Sequence, residues 1–325
     1  MTSREERKFK KFADKLNVLL IASSDWCALG ESCARSLRSV GVNATALAAN
    51  KQKSNYLNQG IVYRNRNQIR PYAEKANVII FMHSYYIETG VDLRNKKVLV
   101  WHTGSRFRQH SKDVNRIFNP IVSASICGRD VFGYGAKNEK NILAPVDTDM
   151  IKPNYERVDK NKIIIAHYPT GDKGIDVIQS CIKQINKSDL KNKFRFDYDA
   201  KRVVWKDHME RVSKCDIYIE EMREKQKNQL LSLYGISTPE AAALGKIVIT
   251  KFLFLEEYER KFGKCELQVA KTPDELIQQI KRIISLSDDD LLKLKRQSRE
   301  WAIRYHSYKA VGVSMVKLFK EIWYV

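Results

Sequence analysis

The sequence predicts an α/β protein built from two doubly wound, mostly parallel sheets. Three observations carry that expectation. Apolar strand-like runs alternate with amphipathic helical stretches along most of the chain, which is the grammar of βαβ units. The alternation restarts at residues 162–167, after a segment punctuated by Pro145 and Pro153. A chain of 325 residues also suits two medium cores better than one large core.

Residues 1–16 read as a basic amphipathic extension. Phe9, Phe12, Ala13 and Leu16 recur at helical spacing, ringed by Arg4, Arg7, Lys8, Lys10, Lys11 and Lys15. Such a helix can lie on an anionic membrane, track a phosphate backbone or pack on its own domain, and a segment this short can also be a floppy tail. The first domain is placed at residues 17–155. Its first strand is residues 17–22, and the loop 23–30 leads to a helix that runs to Val40 and stops at Gly41. Residues 42–47 give the second strand. A third, 77–83, ends in His83. A fourth, 97–102, ends in His102 and runs into Thr103-Gly104-Ser105-Arg106-Phe107-Arg108. Residues 121–125 read as a further strand. Pro145 and Pro153 break regular structure in residues 141–153, which places the domain boundary between Pro153 and Asn161.

The second domain, 156–305, opens with the strand 162–167. Lys173-Gly174 stands ahead of a helix at 175–185, and a lysine before a helix start, with free backbone N–H groups behind it, suits phosphate. Residues 194–198 form a strand, 206–214 a helix and 215–220 another strand. Residues 221–232 read as a charged loop or helix. The densest signal is LYGISTPEAAALGKIVIT at residues 233–250. Tyr234 and Gly235 make a turn, Ser237 or Thr238 can cap a short helix, and Pro239 suits its first position. Gly245 tolerates the left-handed conformation that ends a helix. Ile247-Val248-Ile249 is apolar enough for a strand buried on both faces. Glu240 lies in the helix's first turn, where it can bind a hydroxyl or simply complement the dipole. Residues 272–275 cap a further helix, and residues 288–307 form another, with Trp301 and Tyr305 expected in core or domain-crossing contacts and not as sugar platforms. The last segment, 306–325, is expected to be a helix crossing back to the first domain.

No apolar run approaches the ~20 residues that span a bilayer, and no charged-then-apolar leader opens the chain. The six cysteines make no CxxC pair, so they read as reduced thiols in a cytoplasmic protein and not as a zinc site. Fifty-eight Lys and Arg against 38 Asp and Glu give a net charge of +20. That excess favours a polyanionic partner or surface, although genome composition and plain solubility also produce basic chains.

The segment Glu240-Ala241-Ala242-Ala243-Leu244-Gly245-Lys246, followed by its apolar strand, resembles the nucleotide-sugar site of GT-B glycosyltransferases of the retaining family four. That family's pattern is Glu-x7-Glu, and here Ser232 stands in the place of the first glutamate. The strand-His-x-Gly-Ser-x-Arg run around His102 is similar to the family's fourth-strand motif. Residues 141–153 resemble the segment that closes its first domain. Lys173-Gly174 matches its phosphate-binding pair, with His167 where many relatives carry an arginine. The resemblance implies two Rossmann-like domains facing across a donor-binding cleft. It implies transfer of a sugar from a nucleotide-diphosphate sugar with retention, by front-face attack in which the leaving phosphate helps to deprotonate the acceptor. Glu240 would bind ribose and Lys173 the diphosphate, with His167 as its partner and Gly235, Ser232 and Thr238 also on the donor side. His102 would lie beside the reacting sugar as the catalytic residue. Arg106, Arg108 and Gly30 would contact phosphate or acceptor. The family uses no metal and no cofactor beyond the donor, because basic side chains and helix N-termini neutralise the leaving diphosphate.

Three functions are consistent with these residues. One is a transferase building a surface glycan or lipid-linked saccharide, peripheral to the cytoplasmic membrane face. Another is a transferase acting on DNA, as on the modified bases of phages, which would require base extrusion. The last is a degenerate GT-B protein that binds nucleotide without transfer, suggested by Ser232 and His167. The donor base, the sugar and the oligomeric state are not encoded in any motif.

Overall fold

The computed structural model describes residues 2–50, 59–128, 134–226, 229–230 and 234–324. The chain divides into two compact units. Unit 1 is Met1–Asp147 with His306–Val325, and unit 2 is Thr148–Tyr305.

Unit 1 begins with α1 (Ser3–Ala13), which starts in a capping box. The Thr2 hydroxyl accepts from the Glu5 N–H, and the Glu5 carboxylate accepts from the Thr2 N–H. β1 (Asn17–Ser24), α2 (Leu29–Arg38) and β2 (Asn43–Asn50) form the first βαβ unit. β3 (Ile61–Val62), α3 (Arg70–Lys75), β4 (Val78–Met82), β5 (Lys97–His102), α4 (Gly104–Phe118), β6 (Ala124–Cys127) and β7 (Glu139–Lys140) follow. The strand read at residues 121–125 starts later, at Ala124. The N–H groups of Ile121 and Val122 both bond to the Phe118 carbonyl, so those residues close α4 instead. The sheet order is β3-β2-β1-β4-β5-β6-β7, and every described pairing in it is parallel. The order reverses between β1 and β4, and ligands bind such sheets beyond the carboxyl ends of the strands at that reversal.

In unit 2, β8 (Ile163–His167), α5 (Ile175–Ile185), β9 (Phe194–Tyr198), α6 (Trp205–Ser213) and β10 (Ile217–Ile219) come first. A two-stranded antiparallel hairpin of β11 (Lys225–Gln226) and β12 (Gln229–Leu230) then occupies part of the charged stretch read as a loop or helix. α7 (Ser237–Ala243), β13 (Ile247–Thr250), α8 (Leu255–Phe262), β14 (Gln268–Val269), α9 (Pro273–Ile284) and α10 (Asp288–His306) complete it. Thr272 caps α9 by accepting from the Glu275 N–H at 3.2 Å. The second sheet runs β14-β13-β10-β8-β9, again with parallel pairings, and reverses between β8 and β10. The last helix, α11 (Tyr308–Trp323), belongs to unit 1.

Each sheet is buried on both faces, as its Val- and Ile-rich strands dictate. In unit 1, Leu20, Ile80 and Trp101 pack with Leu37 of α2 and with Met315 and Phe319 of α11 on one face. Ile21, Phe81 and Val100 pack with Phe107 and Phe118 of α4 on the other. In unit 2, Ile165, Ile219 and Ile249 pack against Ile178 and Ile182 of α5 and Leu276 and Ile280 of α9. The apolar stripe of α1 joins the first core. Phe12, Ala13 and Leu16 are buried, and Phe12 meets Trp323 edge-on at 5.8 Å. That stripe is therefore occupied, while Arg4, Arg7, Lys8, Lys10, Lys11 and Lys15 remain exposed.

α2 and α11 approach closely at Gly312, where an added Cβ would lie 2.1 Å from the Ser36 carbonyl oxygen. Gly312→Ala is expected to force the helices apart and cost about 1–3 kcal/mol. Urea unfolding followed by circular dichroism checks this, and an unchanged midpoint would contradict the close approach.

Candidate active site

Chemistry-bearing residues gather at the reversal point of each sheet. In unit 2, β8 ends at His167, and β10 leads directly into Glu220 and Glu221. Lys173 stands just ahead of α5. Its ammonium pairs with the Glu220 carboxylate and reaches the Ser237 hydroxyl at 3.3 Å. Glu220 is 1% exposed, and it also accepts from the Ser237 hydroxyl at 3.2 Å and the Gly235 N–H at 3.4 Å. One carboxylate thus ties the lysine to the loop before α7. Glu221 is held by Arg223, and burial raises its pKa.

Glu240 lies in the first turn of α7 and is buried. Its Oε1 accepts from the Trp205 indole N–H at 2.7 Å. Burial pushes its pKa up to about 7, against the opposing pull of the Trp205 hydrogen bond and the Lys173 charge. Neither Ser237 nor Thr238 caps α7. Ile236 stands at the N-cap with no side-chain bond, and Pro239 is the third helical residue, not the first. The Ser237 hydroxyl is committed to Glu220 and Lys173 instead. Thr238 is fully buried, and its Oγ1 has no hydrogen-bond partner among the described residues. Ser232 lies outside the described residues.

His167 is fully buried, and its Nδ1–H donates to the Ile219 carbonyl at 2.8 Å. Burial pulls its pKa down to about 4. The neutral ring therefore presents Nε2 as a lone pair, and that atom has no partner among the described residues. A phosphate oxygen needs a donor, so in this state His167 cannot do what an arginine would do there. It can instead accept from a hydroxyl.

In unit 1, His102 ends β5 and is 1% exposed. Its Nδ1 lies 2.9 Å from the Ser84 hydroxyl, and its ring stacks on Phe107 at 3.7 Å. Burial lowers its pKa to about 3, so it stays neutral. Its Nε2 has no partner among the described residues. Arg106 on α4 donates to the Ser84 carbonyl at 3.3 Å, and its guanidinium sits 4.2 Å over the Tyr85 ring. Arg108 is buried at 5% exposure. The Gly30 N–H donates to Asp25 Oδ1 at 2.6 Å, and an added Cβ would press on that carboxylate at 3.1 Å.

The backbone around this cluster is strained. Cys27 and Ala28, just past β1, and His83 and Ser84, just past β4, all have positive φ. They are four of the six such non-glycine residues described. Each costs roughly 1–3 kcal/mol, and such strain gathers where a side chain must be aimed. Here it turns His83 so that Nδ1 lies 2.7 Å from Thr103 Oγ1 and Nε2 lies 3.5 Å from Asp25 Oδ1.

No protein-family model matches the chain, and no curated protein sequence matches it. Solved structures do. HepE from Anabaena, solved with UDP, superposes with a TM-score of 0.58 at 11% identity over 94% of this chain and 100% of that one. Sucrose-phosphate synthase from Thermosynechococcus elongatus gives 0.57 at 12% identity, covering 94% and 99%. AviGT4, a glycosyltransferase of avilamycin A biosynthesis, gives 0.55 at 9% identity, covering 94% and 97%. The fold is GT-B. At these identities the likeness extends to the fold and no further. HepE has also been solved with UDP-glucose, and with UDP and glucose together.

Within this GT-B chain, the structure places Glu240, Lys173, Gly235 and Thr238, each marked in the sequence, at one end of the second sheet. No sequence motif marks Glu220 and Trp205, which hold Lys173 and Glu240. Glu220 could have been found as a charged residue closing an apolar strand beside a second acid. Nothing in the sequence marked Trp205, which comes from a helix 35 positions away. Asp25 and Thr103 were also missed as partners of His83, because the pairing depends on two left-handed residues that no motif announces.

Proposed function

We propose that this protein is a retaining glycosyltransferase that moves a sugar from a nucleotide-diphosphate sugar to a hydroxyl acceptor. One observation carries the reading. Glu240 and Lys173 share one end of the second sheet, with Ser237 of α7 bonded to Lys173. A carboxylate in the first turn of a helix suits the two hydroxyls of a ribose, and an ammonium beside that helix suits a diphosphate. The solved neighbours that carry UDP and UDP-glucose support the same donor class. Glu240 would take the ribose and Lys173 the leaving diphosphate. Gly235, Thr238 and the neutral Nε2 of His167 would complete the donor side as backbone and hydroxyl partners. His102, Arg106, Arg108 and Gly30 would serve the reacting sugar and the acceptor.

The acceptor we favour is a surface glycan or lipid-linked saccharide at the cytoplasmic membrane face. The exposed basic residues of α1 suit an anionic bilayer surface. Because the apolar stripe of α1 is occupied, the attraction would be electrostatic and would weaken with salt. No helix among the described residues is long and apolar enough to cross a membrane. The net charge of +20 favours a second acceptor, duplex DNA.

The test is a panel of UDP-, GDP- and ADP-sugars scored for nucleotide release, with the anomeric configuration of the product read by NMR. Turnover of one donor with retained configuration is expected. An inverted product would remove the retaining assignment, and nucleotide binding without turnover would favour a degenerate protein.

A further inference from the structure

We infer that Asp25, His83 and Thr103 form a proton relay that receives the acceptor hydroxyl's proton during sugar transfer, a role that rests on the transferase reading above. The three side chains come from separate elements of unit 1. Asp25 follows β1, His83 follows β4 and Thr103 follows β5. β1 and β4 are the two strands between which the sheet order reverses, where doubly wound sheets bind ligands.

Asp25 decides the direction of the relay. Its Oδ1 accepts from the Gly30 N–H and its Oδ2 from the Glu31 N–H, which fixes a carboxylate acceptor beside His83. The carboxylate oxygen 3.5 Å from Nε2 favours the tautomer with the His83 proton on Nε2. In that tautomer the lone pair is on Nδ1, which accepts the Thr103 hydroxyl proton at 2.7 Å. Thr103 stands at the N-cap of α4, but its hydroxyl makes no capping bond. It is spent on His83, leaving lone pairs on a half-buried oxygen to accept from an incoming hydroxyl. His83 and Asp25 are 4% and 6% exposed, and Thr103, bonded to the imidazole, is the less buried of the three.

In the proposed step the acceptor oxygen bonds to the anomeric carbon, and the bond from that carbon to the diphosphate breaks. The diphosphate leaves with the electron pair. The acceptor's proton passes to Thr103 Oγ1 as the proton of Thr103 passes to His83 Nδ1. The resulting imidazolium is paired with Asp25 and then returns its proton to solvent. Thr103 is the catalytic residue of this relay, and His83 and Asp25 position and drive it. Other titratable and charged groups on the neighbouring elements include Glu31, Cys33, Arg35 and Arg38 of α2, His102 of β5, and Arg106, Arg108 and His110 of α4. Glu31 is paired with Arg35 and Arg38.

Two measurements on the full chain test the relay. The first is the rate of donor hydrolysis, with water as the acceptor hydroxyl, for wild type, Thr103→Val, Thr103→Ser and His83→Gln. Thr103→Val should lower kcat about 100-fold or more with nucleotide affinity unchanged. Thr103→Ser should restore most of the loss, and His83→Gln should lower kcat by a similar factor, again with nucleotide affinity unchanged. A wild-type kcat in His83→Gln would assign the proton to the leaving phosphate alone and overturn the relay. The second is the His83 tautomer by nitrogen-15 NMR, which needs no turnover. The relay requires the Nε2–H form, and an Nδ1–H form overturns it whether or not sugar transfer is found. Absence of hydrolysis with every donor, alongside the Nε2–H tautomer, would instead remove the transferase reading and the relay's role with it.

Discussion

Lys295→Met is expected to destabilise unit 2 by about 3–5 kcal/mol. Lys295 on α10 is buried, and its ammonium lies 2.7 Å from Asp216 Oδ1, with both side chains 2% exposed. It also donates to the Tyr155 carbonyl. Asp216 Oδ2 accepts from the Ile164 N–H at 2.9 Å, so this carboxylate joins β8 to the start of β10. Methionine replaces the apolar stem but leaves the carboxylate buried without its cation. Removing one partner is costlier than removing both, because the remaining charge has no water to return to. The double variant Asp216→Asn with Lys295→Met keeps an oxygen for Ile164 and removes both charges of the pair, so it should recover most of the loss. For a unit of this size the single variant's Tm should fall by on the order of 10 °C. A loss under 1 kcal/mol in chemical denaturation would mean that the pair does not anchor the sheet.

Glu240→Gln is expected to stabilise the protein at alkaline pH and to weaken nucleotide binding. The folded-state pKa of Glu240 is pushed up to about 7 from the usual 4.5 of a free glutamate, chiefly by burial. Between those values the folded state holds its proton more tightly than the unfolded chain. The contribution to stability is therefore full below about pH 4.5 and is lost as the pH rises through 7. A shift of this size corresponds to about 3 kcal/mol. Glutamine keeps an oxygen for Trp205 and never ionises. The variant should exceed wild type by about 3 kcal/mol at pH 8, and the gap should close as the pH falls toward 4.5. Stability curves that stay parallel from pH 5 to 8 would contradict the raised pKa. Ribose hydroxyls favour the ionised form, so wild-type nucleotide affinity should rise with pH through about 7, and the glutamine variant should lose that slope. A residue that costs stability as a carboxylate and gains a ligand by being one is the expected trade at a binding site.

The fold was legible because its strands are near-continuous apolar runs punctuated by Gly, Pro and polar turns. The patterns at residues 194–198 and 175–185 have the same bounds as the strand β9 and the helix α5. Boundaries drifted where a local backbone bond outcompeted propensity, as at Phe118, whose carbonyl draws two N–H groups into the end of α4. The hairpin of β11 and β12 sits in a charged stretch with no period-2 apolar signal, so nothing marked it as strand. Within the site, Glu240 and Lys173 were visible because each stands beside a helix start, which is a sequence-local signal. Their partners were not. Trp205 and Glu220 reach them across tens of residues, and which of the five Trp side chains and which Glu does so is decided by the tertiary fold. His167 was read as a phosphate partner from its position. Its commitment of Nδ1–H to the Ile219 carbonyl, which makes it an acceptor, depends on a neighbouring strand.

The measurement that tests the account most directly is calorimetric binding of UDP, GDP, ADP and CMP at pH 8, to wild type and to Glu240→Ala. The account predicts that one nucleoside diphosphate binds wild type, and that the alanine variant binds it at least 10-fold more weakly while keeping its fold. Equal affinity in the two proteins, or no binding of any nucleotide to wild type, would contradict the assignment of Glu240 as the ribose carboxylate and the donor site built around it.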